Sequence, residues 1–169
     1  VHTPAVSPGR GGRMGCWRWG KRREAELVEF RTPTDGIVLT HFIVAADVDR
    51  SCRFYSEVLG GQVVQRGEPS VVALANSWVI INIGGGPTAD KPTVTLETPP
   101  DPNRTSSFLN IRVTDIQTIY ATWTARGARF LTPPQDNGSE IRCYLRDPDG
   151  HLIEVGQSSD DTITSLTSP

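Results

Sequence analysis

Apolar positions recur with two different periods along this chain, and the order of these patterns predicts its elements. The mostly apolar run at residues 37–46 predicts a strand. The next apolar residues recur at the three- and four-residue spacing of an amphipathic helix, with Asp47 as its N-cap and Gly60-Gly61 at its end. Short apolar runs then predict three strands, at residues 62–66, 70–75 and 78–83. The first half of the domain is therefore predicted to be a β-α-β-β-β unit.

The same pattern starts again after a Pro-rich connection at residues 98–104. A strand is predicted at residues 108–113, Asp115 is the next helix cap, and Gly127 ends the second helix. The remaining strands are predicted at residues 128–131, 140–145 and 151–155. Such a duplication predicts two units that pair their sheets edge to edge and curve around a shared cleft. We therefore predict an α+β fold: two tandem βαβββ modules forming a cupped mixed sheet, with the helices outside.

The regular pattern sets the expected domain boundaries. We assign residues 37–157 to one domain, with modules at residues 37–97 and 105–157. Residues 1–36 are rich in Gly, Pro and Arg and have no periodicity in their first twenty positions, so we expect a disordered N-terminal extension. Residues 158–169 are expected to be a C-terminal tail.

Composition narrows the partners of this 169-residue chain. Its net charge of −2 gives no overall attraction to nucleic acid or acidic membranes. No apolar run approaches the roughly 20 residues that span a bilayer. The three cysteines are odd in number and form no CxxC pair, which indicates reduced thiols in a cytoplasmic protein. We expect neither a nucleic-acid nor a membrane partner.

The last predicted strand carries the most informative side chain. It follows the tight-turn sequence Asp-Pro-Asp-Gly at residues 147–150, and Glu154 lies in the middle of its apolar run. A carboxylate on a half-buried strand is costly unless a metal ion, a basic partner or a water-filled cavity compensates it. Each of these alternatives points to a site at Glu154.

The segments at residues 40–44, 47–61 and 146–154 resemble the vicinal oxygen chelate superfamily. That superfamily includes glyoxalase I, fosfomycin- and bleomycin-resistance proteins and extradiol dioxygenases. The resemblance covers about residues 37–157 and implies a glyoxalase-like fold with a small-molecule ligand in the cup. It also implies a homodimer and often a divalent metal, here Zn, Fe, Mn or Ni, held by strand side chains.

The resemblance implies His41 and Glu154 as metal ligands, with Glu154 also as a catalytic base. The family's first-strand His lies seven residues before the cap Asp, whereas His41 lies six before Asp47. Because strand side chains alternate faces, either a bulge turns His41 into the cup or His41 faces the helices. We predict the inward position. A structural role for Glu154, paired with Arg112 or Arg142, is the alternative.

The other expected ligands are weak ones for a transition metal. The fourth strand offers Asn82, at the repeat position of Glu154, and the fifth offers Phe108, Leu109 or Asn110. The residues predicted to bind the ligand are Asn82, Asn110, Trp78, Phe42, Tyr144 and Arg142. Two functions remain open. One is a metal-dependent lyase, isomerase or dioxygenase that polarises vicinal oxygens; the other is a metal-free protein that sequesters a small molecule or antibiotic, as in the bleomycin-resistance group.

Overall fold

The computed structural model of this chain describes residues 38–158. The expected N-terminal extension and all of the expected tail beyond Ser158 lie outside the described residues. The first module has the bounds Thr40–Val44 (β1), Val48–Arg53 (α1), Phe54–Val58 (a π-helical continuation of α1), Gln62–Gln65 (β2), Ser70–Leu74 (β3) and Ser77–Asn82 (β4). The second has the bounds Leu109–Arg112 (β5), Ile116–Ala125 (α2), Gln135–Asp136 (β6), Glu140–Arg146 (β7) and Leu152–Ser158 (β8).

The predicted caps begin both helices. The Asp47 side chain accepts a hydrogen bond from the backbone N–H of Arg50 at 2.9 Å, and Asp115 accepts one from Thr118 at 3.0 Å. Each cap satisfies an N–H group that the first helical turn leaves without a partner. At the end of the first helix Gly60 has a φ of +85°, a conformation that favours glycine.

Each module forms its own four-stranded sheet, in the orders β1-β4-β3-β2 and β5-β8-β7-β6. The first and last strands of each module pair in parallel, and the other pairs are antiparallel. The α+β fold with two βαβββ modules is confirmed. Within residues 38–158, however, β1 and β5 are edge strands and do not pair with each other.

The core lies on the helix-packed faces of the two sheets. Helix α1 contacts β3 and β4, while α2 contacts β8. Ile43 and Ile81 in the first module and Ile153 and Val155 in the second are almost fully buried. Trp123 of α2 is buried with them. By the register of the strands, Phe42, Trp78, Asn110 and Glu154 lie on the opposite faces.

The predicted strand at residues 128–131 is wrong. Phe130 forms only an isolated bridge with Leu145, and the strand beside β7 is the two-residue β6. The Leu131 N–H bonds to the Tyr144 carbonyl at 2.7 Å, but Pro133 and Pro134 follow and have no backbone N–H, so the pairing with β7 is interrupted before β6.

The structure also corrects which residue of module 2 corresponds to Asn82 of module 1. The backbone N–H of Ala45 bonds to Asn82, and that of Val113 bonds to Gly156. Asn82 therefore corresponds to Gly156, and the predicted equivalence of Asn82 with Glu154 is wrong. Glu154 lies opposite Asn110, just as Ile80 lies opposite Phe42.

Candidate functional site

A cavity of about 520 Å³ lies between the β3–β4 hairpin of the first module and strand β5 of the second. Its walls are mainly apolar, with Leu74 and Trp78 on one side and Leu109 and Ile111 on the other. The Trp78 side chain remains 44% exposed, so its indole ring is open to a ligand. Asn110, His41 and Arg112 supply polar groups to the same cavity.

Glu154 lies behind Asn110, on the face of β8 opposite the core. Only 4% of the residue is exposed. One carboxylate oxygen accepts a hydrogen bond from the Asn110 amide nitrogen at 2.5 Å, and the other accepts one from the Tyr144 hydroxyl at 2.5 Å. The hydrogen bond to Glu154, more than burial, raises the pKa of Tyr144. The strand register places these three residues in one row across β5, β8 and β7.

Two arginines complete the surroundings of this carboxylate. The Arg112 guanidinium lies 3.5 Å from Glu154 and 2.5 Å from Glu140, and Arg142 lies 3.0 Å from Glu140. The hydrogen bond from Arg112 holds the pKa of Glu140 below its usual range. A side chain at Gly156 would collide with Arg112, so this glycine makes room for the guanidinium. The basic partner considered for Glu154 is thus present, and the four charges balance.

His41 does not share a face with Glu154. Residues 40–44 pair with residues 78–82 in an unbroken register, without the bulge that the inward position needs. The register places His41 beside Val79, on the same face of the sheet as the buried Ile43. His41 reaches the cavity at the end of this face. Burial, followed by the charge of His151, lowers the pKa of His41 below its ordinary value of 6.5.

Some of the remaining predicted residues line the larger cavity and others lie outside it. Phe42 borders a smaller cavity of about 250 Å³ beside the connecting segment, which His41 and His151 also border. Asn82 uses its side-chain oxygen to accept from the backbone N–H of Ile83 at 3.0 Å. Among the predicted ligand-binding residues, only Trp78 and Asn110 line the larger cavity in the part of the chain described.

The side chains present do not fit a divalent metal. Within residues 38–158, no group of three or more His, Cys, Asp or Glu side chains could hold an ion. On the faces opposite the helices, first and last strands pair at five positions: Thr40 with Trp78, Phe42 with Ile80 and Val44 with Asn82 in module 1, and Asn110 with Glu154 and Arg112 with Gly156 in module 2. Of these residues only Glu154 is a strong ligand, and both of its oxygens are already hydrogen-bonded. The structure therefore does not bring His41 and Glu154 together as a metal site.

A family model described as "Glyoxalase/Bleomycin resistance protein/Dioxygenase superfamily" matches residues 35–155. The chain belongs to this superfamily. A comparison with curated protein sequences found no match. Neither helix of the described part combines the length and apolarity needed to cross a membrane.

Solved structures of the superfamily share the fold. TioX from Micromonospora sp. ML1 is 22% identical, with a TM-score of 0.58, and the match covers 73% of this chain and 99% of TioX. TnmS3, an antibiotic binding protein from Streptomyces sp. CB03234, is 20% identical, with a TM-score of 0.53 and coverage of 75% and 98%. FosX, a fosfomycin resistance protein from Listeria monocytogenes, is 14% identical, with a TM-score of 0.55 and coverage of 73% and 94%. At these identities the likeness shows the fold alone.

Two features of the site region went unpredicted. Glu140 alternates with Arg142 and Tyr144 along β7, and this period of two was the available signal for its role. Asp147 and Asp149 were interpreted only as turn residues. Asp149 accepts hydrogen bonds from Ala46, Arg50 and Ser51, so the turn also joins the two modules.

Proposed function

We propose that this protein binds a flat, largely apolar and uncharged small molecule in the 520 Å³ cavity, without a resident divalent metal. Its function would be to sequester that molecule, as in the bleomycin-resistance group. The observation that carries this proposal is the hydrogen bonding of Glu154. This carboxylate is the one strong metal ligand among the paired strand positions described, and its two oxygens accept hydrogen bonds from Asn110 and Tyr144.

The walls of the cavity support a flat ligand. An indole ring offers a large apolar surface on which a planar molecule can stack, and Trp78 is half-exposed at the cavity. The antibiotic binding protein TnmS3 shares the fold, which is consistent with this class of function.

The charges support an uncharged ligand. Arg112 is the one permanently charged side chain among the described residues lining the cavity, and Glu140 and Glu154 compensate it. The lowered pKa of His41 keeps its imidazole neutral at neutral pH. An anion would therefore find no unpaired cation in these walls.

Glu154 does not fit the role of catalytic base. Asn110 and not Glu154 is among the described residues that line the cavity, and the carboxylate is buried behind it. A base must come within hydrogen-bond reach of the proton that it removes. We therefore assign Glu154 to holding its neighbours in place.

Two expectations accompany this function. We propose a homodimer, because β1 and β5 are edge strands among residues 38–158 and Phe42 and Phe108 are 45% and 44% exposed there. We also propose a cytoplasmic location, which the free and buried thiols of Cys52 and Cys143 support.

Calorimetric titration with 2-naphthol tests the ligand, and thermal unfolding with Zn²⁺, Mn²⁺ or Ni²⁺ tests the metal. We expect naphthol to bind, Trp78→Ala to weaken binding by about tenfold, and Ile83→Ala, an exposed apolar control outside the cavity, to leave it unchanged. We expect no rise in melting temperature with the cations. A stoichiometric cation that binds the wild type and is lost in Glu154→Ala would overturn the metal-free function.

A further inference from the structure

We infer that Asn110 selects ligands that carry a hydrogen-bond donor, such as a hydroxyl or N–H group, and that Glu154 imposes this selection by fixing the orientation of the Asn110 amide. The inference rests on the proposed function, because it concerns the ligand of the same cavity.

The orientation of Asn110 follows from the chemistry of its partner. An ionised carboxylate only accepts hydrogen bonds, whereas a primary amide has a donating nitrogen and an accepting oxygen. Glu154 accepts a hydrogen bond from the Asn110 amide nitrogen at 2.5 Å. The amide oxygen is thereby turned away from Glu154, and it makes no hydrogen bond with the described residues.

Glu154 is itself held in one position, so the amide cannot easily reverse. Its second oxygen accepts from the Tyr144 hydroxyl at 2.5 Å, and the Tyr144 ring packs edge-on against Phe108, with centroids 6.3 Å apart. The Arg112 guanidinium adds a positive charge 3.5 Å away. Reversing the Asn110 amide would place its oxygen in contact with an oxygen of the buried Glu154 carboxylate, which is a repulsive arrangement.

The other polar side chains of the cavity differ in what they offer a ligand. Arg112, which is engaged by Glu140 at 2.5 Å, only donates. A neutral imidazole such as His41 either donates or accepts, depending on its tautomer. Ser77 donates its hydroxyl proton to the carbonyl of Leu39 at 2.7 Å, so its oxygen can also accept from a ligand. Substitution of Asn110 alone therefore separates the contribution of the Asn110 oxygen from that of Ser77.

The experiment compares 2-naphthol with 2-methoxynaphthalene, which differ at the oxygen in that only naphthol can donate. Calorimetric titration of the full chain at neutral pH is expected to show that the wild type prefers naphthol by about fivefold to tenfold, the size of a net neutral hydrogen bond. Asn110→Leu should bind the two probes within about twofold of each other. Asn137→Leu is the matched control, since Asn137 is an exposed asparagine outside the residues that line the cavity, and it should keep the preference.

Glu154→Ala tests the positioning role and does not remove any described lining residue. The freed amide can present either its nitrogen or its oxygen, so the preference should fall while 2-methoxynaphthalene binding persists. Equal binding of both probes to the wild type, or a preference that survives Asn110→Leu and Glu154→Ala, would overturn the inference and leave the proposed function intact. Failure of both probes to bind would instead remove the proposed function and the inference together.

Discussion

His41 is a histidine whose neutral form is favoured by the fold. It lies on the core face of β1, and burial lowers its pKa more than the nearby His151 does. Its ordinary value is 6.5, so the unfolded chain takes up a proton at a higher pH than the folded protein. The stability contributed by His41 is therefore fully present above 6.5 and is lost as the pH falls through the lowered folded pKa.

We predict that His41→Gln flattens the dependence of stability on pH between about pH 7 and pH 5. Urea unfolding of wild type and variant across this range measures the effect, and the same comparison in a His151→Gln background removes the interaction between the two histidines. The wild type should lose more stability on acidification. Parallel curves would show that folding does not disfavour the charged imidazole.

Glu154 illustrates how far a single residue could be interpreted from sequence. Its position in the middle of a strand and its need for compensation were both predictable from the apolar residues around it. The identity of the compensating groups was not, because Asn110 and Tyr144 come from strands 44 and 10 positions away in sequence. The pairing register of β5, β7 and β8 brings these residues together.

At the level of elements, the turn between β7 and β8 joins the two modules. The Asp149 carboxylate, whose side chain is 2% exposed, accepts from the Ala46 N–H at 2.9 Å, the Ser51 hydroxyl at 2.5 Å and the Arg50 guanidinium at 2.6 Å. The Tyr55 hydroxyl also donates to the buried Asp147 of this turn, at 3.1 Å. These bonds connect module 2 to the start of α1.

We predict that Asp149→Ala destabilises the protein by about 2–3 kcal/mol, because it leaves several donors without their charged acceptor. Asp49→Ala is the control, since this neighbouring aspartate is exposed and its loss removes only a favourable charge in the first turn of α1. Urea unfolding measures both. Equal losses would mean that the turn does not hold the modules together.

Elements were easier to predict than their alignment. The Asp caps and apolar spacing identified both helices because these signals are local. The repeat comparison failed by two residues at Asn82 because it allowed four extra residues in the second module, whereas the register requires six. Ala45 and Val113 are 68 positions apart in sequence, and Asn82 and Gly156 are 74 apart. Because side chains alternate with a period of two, an alignment shifted by two residues keeps each side chain on the same face of the strand. The alternation of apolar residues therefore cannot reveal the shift.

Local signals also predicted part of the site geometry. The face of Glu154 follows from alternation with the apolar Ile153 and Val155. Trp78 and Asn110, predicted to bind the ligand, both line the cavity, and their role in binding stays a prediction. The inward position of His41 required a bulge, and the unbroken pairing of residues 40–44 does not contain one. A bulge is set by the local ladder and leaves little trace in a single sequence.

At the scale of the whole molecule, each module has one edge strand beside an exposed apolar face. Edge strands present unpaired backbone groups and are natural places for a second chain to pair. Phe42 on β1 is 45% exposed, and Phe108 next to β5 is 44% exposed. A second copy of this chain could pair with these edges and cover both side chains, which would extend two separate sheets into the cupped sheet expected from the duplication.

We predict that the protein sediments as a dimer and that Phe42→Glu weakens dimerisation by about tenfold or more, since a buried, unpaired charge opposes association. Val64→Glu is the matched control, because Val64 is 56% exposed in the same sheet and lies on β2, at the opposite edge from β1. Sedimentation velocity over a range of concentrations, with circular dichroism to show that both variants fold, makes the comparison. A wild type that stays monomeric throughout, or equal weakening by both variants, would mean that β1 does not lie at an interface between copies.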